Sequence, residues 1–183
     1  MNTATATKTA DTTANTTDKD GLEASIRAFE RAYSYDATYM RQLLQSSPEG
    51  FSRFSAFMPM GQFRETLASD VYHVAKIAVM RVEDCGPCLQ LSVQMAVEAE
   101  LSPELVRAAL EGGEGLPPEL AEVYRFAQAV ARGEAADSET METRYGAAGV
   151  AELALAIASA RVYPTVKRAM GLAQSCARVT IEV

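Results

Sequence analysis

VYHVAKIAVMRVEDCGPCLQLSVQMAVEA, residues 71–99, decides how this chain folds. Val71, Val74, Ala75, Ala78 and Val82 recur at helical spacing, and a second apolar run follows from Leu89 to Ala99. Between them stands Cys85-Gly86-Pro87-Cys88, so the two thiols occupy a helix-to-helix corner. A residue before proline is biased away from the α region. Gly86 is therefore expected outside the second helix, Pro87 in its first turn, Cys85 at or just before the N-cap, and Cys88 within the first turn. There both sulfurs lie close to unpaired backbone N–H groups and the positive end of the helix dipole, which stabilise a thiolate. Glu83 and Asp84 oppose that stabilisation by like charge. Two thiols at this spacing can close a disulfide and reopen it, which points to thiol redox chemistry.

Other uses of such a pair make different demands. A four-ligand zinc site needs two further ligands, and only Cys176 and His73 are offered, not as a close-spaced pair. Two buried structural thiols would need nothing more, since free cysteine packs as a small hydrophobe. Cys-Gly-Pro-Cys is also the thioredoxin motif, but that fold places it after a β-strand rich in branched and aromatic residues. Here helix precedes the motif, and the only strand-like run is Val179 to Val183.

The 183 residues suit one domain with a sizeable core and a tail. Residues 1–20, almost entirely Thr, Ala, Asp, Asn and Lys, are expected to be a disordered tail, with a single all-α domain over 21–183. No window is read as long and apolar enough to cross a bilayer, and three cysteines without an export signal suggest a reducing, cytoplasmic setting with no membrane partner. A net charge of −7 without a basic, aromatic-interleaved run argues against nucleic acid. Helices are predicted over Leu22–Tyr33, Asp36–Gln45 with Asp36 as cap, and from Ser47-Pro48-Glu49 to Phe57, before a break at Pro59 and Gly61. Ser69 and Asp70 open the helix that carries His73. Ser102-Pro103 and Pro117-Pro118 open two more. Asp137 or Ser138 begins a short one ending near Gly146, and a long last helix, with Val150, Leu153, Ile157 and Ala158 on one side, should kink at Pro164. The expected architecture is an all-α bundle.

A helix bearing a candidate relay residue twelve before a Cys-x-x-Cys, the pair opening the next helix, and a long apolar helix near the C-terminus resemble the carboxymuconolactone decarboxylase-like family, and within it the alkyl hydroperoxidase D-like branch. The resemblance covers about residues 51–171, and its specific part is the Cys-x-x-Cys segment. It implies a helical bundle of the alkyl hydroperoxidase D-like type, commonly oligomeric, acting as a peroxidase without cofactor or metal. In that branch a Glu, the Cys-x-x-Cys, and a His four residues after the second cysteine form the site. Carried over, Cys88 would be the peroxide-attacking thiolate and Cys85 its proton donor and resolving partner. This chain departs from the pattern, with Ser92 in the histidine position and His73 in the acid position, so the family's relay is not intact.

The residues allow a replacement. Cys88 and Ser92 are one turn apart and share a face, where a hydroxyl can donate to a thiolate or hold a water. His73, the only histidine, can accept a proton near neutral pH, which Ser92 cannot. His73 is thus a candidate base with Ser92 orienting a water; the plainer readings are a hydrogen-bonded structural histidine and a serine bonded to its own turn. Met80, Leu91 and Met95 would make the surroundings apolar and favour an organic hydroperoxide, with a protein or small thiol as reductant and a homo-oligomer as the expected assembly. Phe51, Phe54, Phe57 and Met58 either line a pocket or pack as core, Glu119, Glu122 and Arg125 read as a solvated face, and Cys176 is too remote to assign. Two rival functions share the same pair: a thiol–disulfide oxidoreductase acting on proteins, and a non-catalytic binding member of the fold.

Overall fold

The computed structural model describes residues 16–172, and within them the chain is all helix. Eight α-helices follow in order: α1 Thr16–Tyr33, α2 Thr38–Ser46, α3 Pro48–Phe57, α4 Ser69–Val82, α5 Gly86–Glu98, α6 Pro103–Leu110, α7 Pro118–Arg132 and α8 Ser138–Ala169. A short 3-10 turn, Met58–Gln62, follows α3 where Pro59 and Gly61 interrupt the pattern.

Helix α4 is the axis of the molecule. Val74, Ala75, Ile77, Ala78 and Val79 have no exposed surface, and Val71 and Met80 keep 5% and 3%. A helix that is apolar nearly all round has to be surrounded, and α4 packs against α5, α6, α7 and α8. Their inner residues, among them Val93, Val106, Val123, Leu153 and Ile157, complete this main core.

Helices α1, α2 and α3 form a second body, a cap with its own core of Ile26, Tyr35, Tyr39, Met40, Leu44, Phe51 and Phe54. Leu91 of α5 and Val162, Tyr163 and Val166 of α8 pack against it, which joins cap to bundle. Aromatic rings supply much of its packing, for example Tyr39 on Phe54 at 6.2 Å and Phe54 on Tyr163 at 5.9 Å, both edge-on.

The predicted punctuation can be checked residue by residue. Ser47 and Ser102 cap α3 and α6 through side-chain oxygens that accept from Gly50 N and Leu105 N, and Asp137 caps α8 by accepting from Thr140 N. Gly133, at φ 72°, ends α7 in the left-handed conformation. Three boundaries differ from the sequence reading. α1 begins at Thr16 and so takes in residues 16–20, which were assigned to the tail. The cap position of α2 is Ala37, while Asp36 accepts from Thr38 N at 2.9 Å just before it. Gly86 lies inside α5 as its first residue rather than outside it. The predicted break near Gly146 is present within α8, where this residue has a non-helical backbone (φ 67°, ψ 171°), and the chain beyond it runs as helix through Pro164 to Ala169. Ala158 faces solvent, and Ala156, Ser159 and Ala160 complete the inner face instead. Residues Val179 to Val183 lie outside the described residues.

By length and composition α8 could cross a membrane, which corrects the reading that no window could. In this fold its apolar face packs on α4. Two charged residues of α8 are also buried, and both do structural work. Glu152, 3% exposed, accepts hydrogen bonds from the backbone N–H groups of Glu65, Thr66 and Leu67 and from Thr66 Oγ1, holding the approach to α4. Burial alone would raise this carboxyl, but the four donors outweigh it and hold it down at about 2. Lys167, 5% exposed, reaches up to the cap.

Candidate functional site

The turn between α4 and α5 explains how the two cysteines come to sit at a corner. Glu83 closes α4 by donating its N–H to Val79 O, Asp84 then takes a left-handed conformation (φ 50°), and Cys85 is the extended N-cap of α5. Pro87 fills the first turn, where its missing N–H leaves no bond unmade. Cys85 and Cys88 are joined as a disulfide, with Cα atoms 5.2 Å apart. Cys88 is buried at 4% exposure, and Cys85 is half-buried.

The acidic pair before the motif is not the unopposed negative charge that the sequence suggested. The Glu83 carboxylate receives Arg161 Nε at 2.8 Å and a second guanidinium from Arg168, which also donates to the Glu83 carbonyl at 2.7 Å. Burial raises the Glu83 carboxyl, and the two arginines more than reverse this, so it stays below its ordinary range. The Glu83 charge is thus more than matched by two cations, and the same contacts tie α8 to the corner.

On its inner side Cys88 opens onto a cavity of about 270 Å³ at the seam between cap and bundle. Its walls are mainly apolar: Ile26, Phe29, Met40 and Phe51 from the cap, and Met80, Leu91 and Met95 from α4 and α5. Ser92 lines the same cavity one turn beyond Cys88. Phe51 and Met58 of the aromatic segment line it too, whereas Phe54 belongs to the cap core.

Two tyrosines of the cap complete the surroundings of the sulfur. Tyr35 Oη stands 3.8 Å from Cys88 Sγ. In the disulfide Cys88 carries no proton, so the phenol donates. Burial pushes the Tyr35 phenol well above its ordinary value, which keeps that proton in place. Burial likewise pushes the phenol of the neighbouring Tyr39 well above its ordinary value. Lys167 places its ammonium 4.2 Å from the Tyr35 ring centre and 5.1 Å from that of Tyr39. The position of Tyr35 is itself fixed locally. Ser34 turns left-handed after α1, Tyr35 N bonds Glu30 O at 3.1 Å, and Glu30 Oε1 receives Ala37 N at 3.0 Å as well as Arg41.

His73 stands elsewhere. It is not among the residues lining the cavity, and its ring packs edge-on against Tyr72 at 5.1 Å. Burial, and then the charges of Lys76 and Arg64, push its pKa down to about 4. It is neutral at pH 7, but an imidazole so acidic is a weak match for a thiol near 8.5. Of the four predicted site residues, Cys85, Cys88 and Ser92 come together and His73 does not join them at the cavity.

Lys76 was not singled out from the sequence. It lines the cavity beside Met80, one turn further along α4, and donates from Nζ to Gly61 O at 3.1 Å and Tyr72 Oη at 3.2 Å. Tyr72 in turn donates to Gly61 O. A lysine one turn before a methionine on an otherwise apolar helix was a legible signal; the approach of Tyr35 and Lys167 to Cys88 was not. Among the described residues no group of three or more His, Cys, Asp and Glu side chains is assembled to hold a metal, and Cys176 lies outside them. No family model, no curated protein and no solved structure matches this chain.

Proposed function

We propose that this protein is a thiol peroxidase that reduces organic hydroperoxides with the Cys85–Cys88 pair. The observation that carries the reading is the sulfur of Cys88, buried in an apolar cavity with a tyrosine hydroxyl aimed at it, while its partner Cys85 is half-buried beside it. The resemblance to the alkyl hydroperoxidase D-like branch points the same way, with Tyr35 rather than a histidine supplying the polar contact to the attacking sulfur.

In the reduced protein Cys88 is a thiolate, favoured by the first turn of α5 and by hydrogen bonding from Tyr35. It attacks the terminal oxygen of the hydroperoxide, breaking the O–O bond to leave Cys88 sulfenic acid and an alkoxide that takes up one proton to become the alcohol. The Cys85 thiol then attacks the sulfenic sulfur, forming the disulfide and releasing water. Two electrons pass from the dithiol to the peroxide. A thiol reductant attacking Cys85 reopens the pair and expels Cys88 as thiolate, the better stabilised of the two leaving groups. Ser92, on the Cys88 face of α5, orients water or the peroxide.

A disulfide oxidoreductase acting on proteins would use the more exposed Cys85, and what favours a small hydroperoxide is that Cys88 faces an apolar cavity rather than the surface. The deciding experiment exposes reduced protein to one equivalent of cumene hydroperoxide while peroxide loss is followed and cysteine oxidation is mapped by mass spectrometry. Rapid loss with a Cys85–Cys88 disulfide, or with sulfenate trapped at Cys88 in Cys85→Ser, is expected. Slow loss with unmodified thiols would overturn the reading.

A further inference from the structure

The cavity contains polar groups that a peroxide alone does not explain. Lys76 carries three N–H donors, of which Gly61 O and Tyr72 Oη take two. Both acceptors are neutral, and among the described residues no carboxylate pairs with this ammonium. The Tyr72 ring, its centre 5.0 Å from Nζ, offsets part of the cost of this charge, and an anion would offset more. Ser55 adds a second unspent group, since its Oγ is buried, without any hydrogen-bond partner, and on the lining of the same cavity.

From this arrangement we infer that the hydroperoxide taken by this site is amphiphilic, with an ionised carboxylate held at Lys76 and an alkyl chain lying along Ile26, Phe29, Met40 and Phe51 toward Cys88. The inference rests on the peroxidase reading for the reaction, and on the cavity alone for the ligand class. A single ammonium with a neutral hydroxyl matches the single charge of a carboxylate. No arginine lines the cavity to offer the paired donors that suit a phosphate. Burial lowers the Lys76 pKa to about 8, so it remains largely protonated at pH 7, and an anion beside it would raise that value. The chemistry is the step already written. A carboxylate-bearing hydroperoxide accepts two electrons from the dithiol, its O–O bond breaks, and a hydroxy acid and water leave while the Cys85–Cys88 bond forms.

The test compares the hydroperoxide of linoleic acid with that of its methyl ester, using the full chain with an excess of dithiothreitol as reductant. The expected ratio of kcat/KM, acid over ester, is about tenfold or more in the unmodified protein, within about twofold of unity in Lys76→Met and Lys76→Gln, and restored in part by Lys76→Arg. A ratio near unity in the unmodified protein, or one that survives both neutral variants, would overturn the inference. Binding of unperoxidised linoleate and methyl linoleate to the oxidised protein separates the two claims. If neither hydroperoxide is consumed but linoleate binds about tenfold more tightly than the ester, and only with Lys76 present, the peroxidase reading fails and the ligand class stands. Equal binding of acid and ester sinks the ligand class.

Discussion

The bundle around α4 and the cap formed by α1–α3 use apolar residues differently. In the bundle, small and branched aliphatics close on one another: Val74, Ala75, Ile77, Ala78, Val93, Val106 and Val123 are essentially inaccessible. In the cap, large rings and methionines meet edge to face and leave a cavity between themselves and the bundle. Dense packing of the first kind resists deformation, so it suits the helix that carries the motif to its place. Loose packing of the second kind admits a ligand. Cys88 lies where these two regions meet, with its backbone held by the bundle and its sulfur facing the cap.

That contrast is broken most directly by truncating one side chain in each region. Ile77→Ala should cost about 4 kcal/mol of unfolding free energy, because the surrounding helices cannot collapse into the space, whereas Ile26→Ala, already on a cavity wall, should cost about 2 kcal/mol, measured by chemical denaturation. Equal costs would mean that the cap is as tightly built as the bundle. Next in size, Tyr35→Phe should slow oxidation of Cys88 by hydroperoxide about tenfold and raise its thiol pKa while leaving the denaturation midpoint nearly unmoved, as expected for a lost hydrogen bond to a charged sulfur. A large stability loss with unchanged reactivity would make the tyrosine a packing residue only.

Acid should loosen the bundle. Glu152 is depressed from 4.5 to about 2, so the stability it confers is present above pH 4.5 and lost as pH falls toward 2. His73, depressed from 6.5 to about 4, works in the same direction, since folding resists protonating it and stability declines as pH drops below 6.5. Glu152→Gln should flatten the lower part of that decline, and a pH–stability curve unchanged by the substitution would show that the carboxylate is not its source. The smallest effect belongs to His73→Ala, which should leave the peroxide rate within about twofold; a loss comparable to that of Tyr35→Phe would return His73 to the role of base.

The bundle was readable in the sequence because its helices are punctuated. Ser47-Pro48, Ser102-Pro103 and Pro117-Pro118 mark starts with capping oxygens or preset φ. Gly146 marks the break between the short helix and the long one, and its non-helical backbone is found there. The site was readable only along α4 and α5, where spacing places Cys88 and Ser92 on one face. Tyr35 lies 53 residues from Cys88 and is delivered by a left-handed turn, so no periodicity links them. The charge on Glu83 was legible, but its two arginines stand 78 and 85 residues away, and pairing over such distances is a property of packing. Histidine in the family's acid position suggested a base; its burial away from the cavity could not be seen from spacing.

The Tyr35–Cys88 contact also gives the protein a built-in optical readout. There is no tryptophan in the chain, so its near-ultraviolet emission comes mainly from seven tyrosines, and one of them has its hydroxyl 3.8 Å from the Cys88 sulfur. Opening the disulfide exchanges the acceptor of that hydroxyl for a thiolate, and the intensity or decay of the phenol emission must then change with the state of the pair. Opening and closing of this disulfide can therefore be followed in unlabelled protein, and Tyr35→Phe should remove the signal together with the contact that generates it.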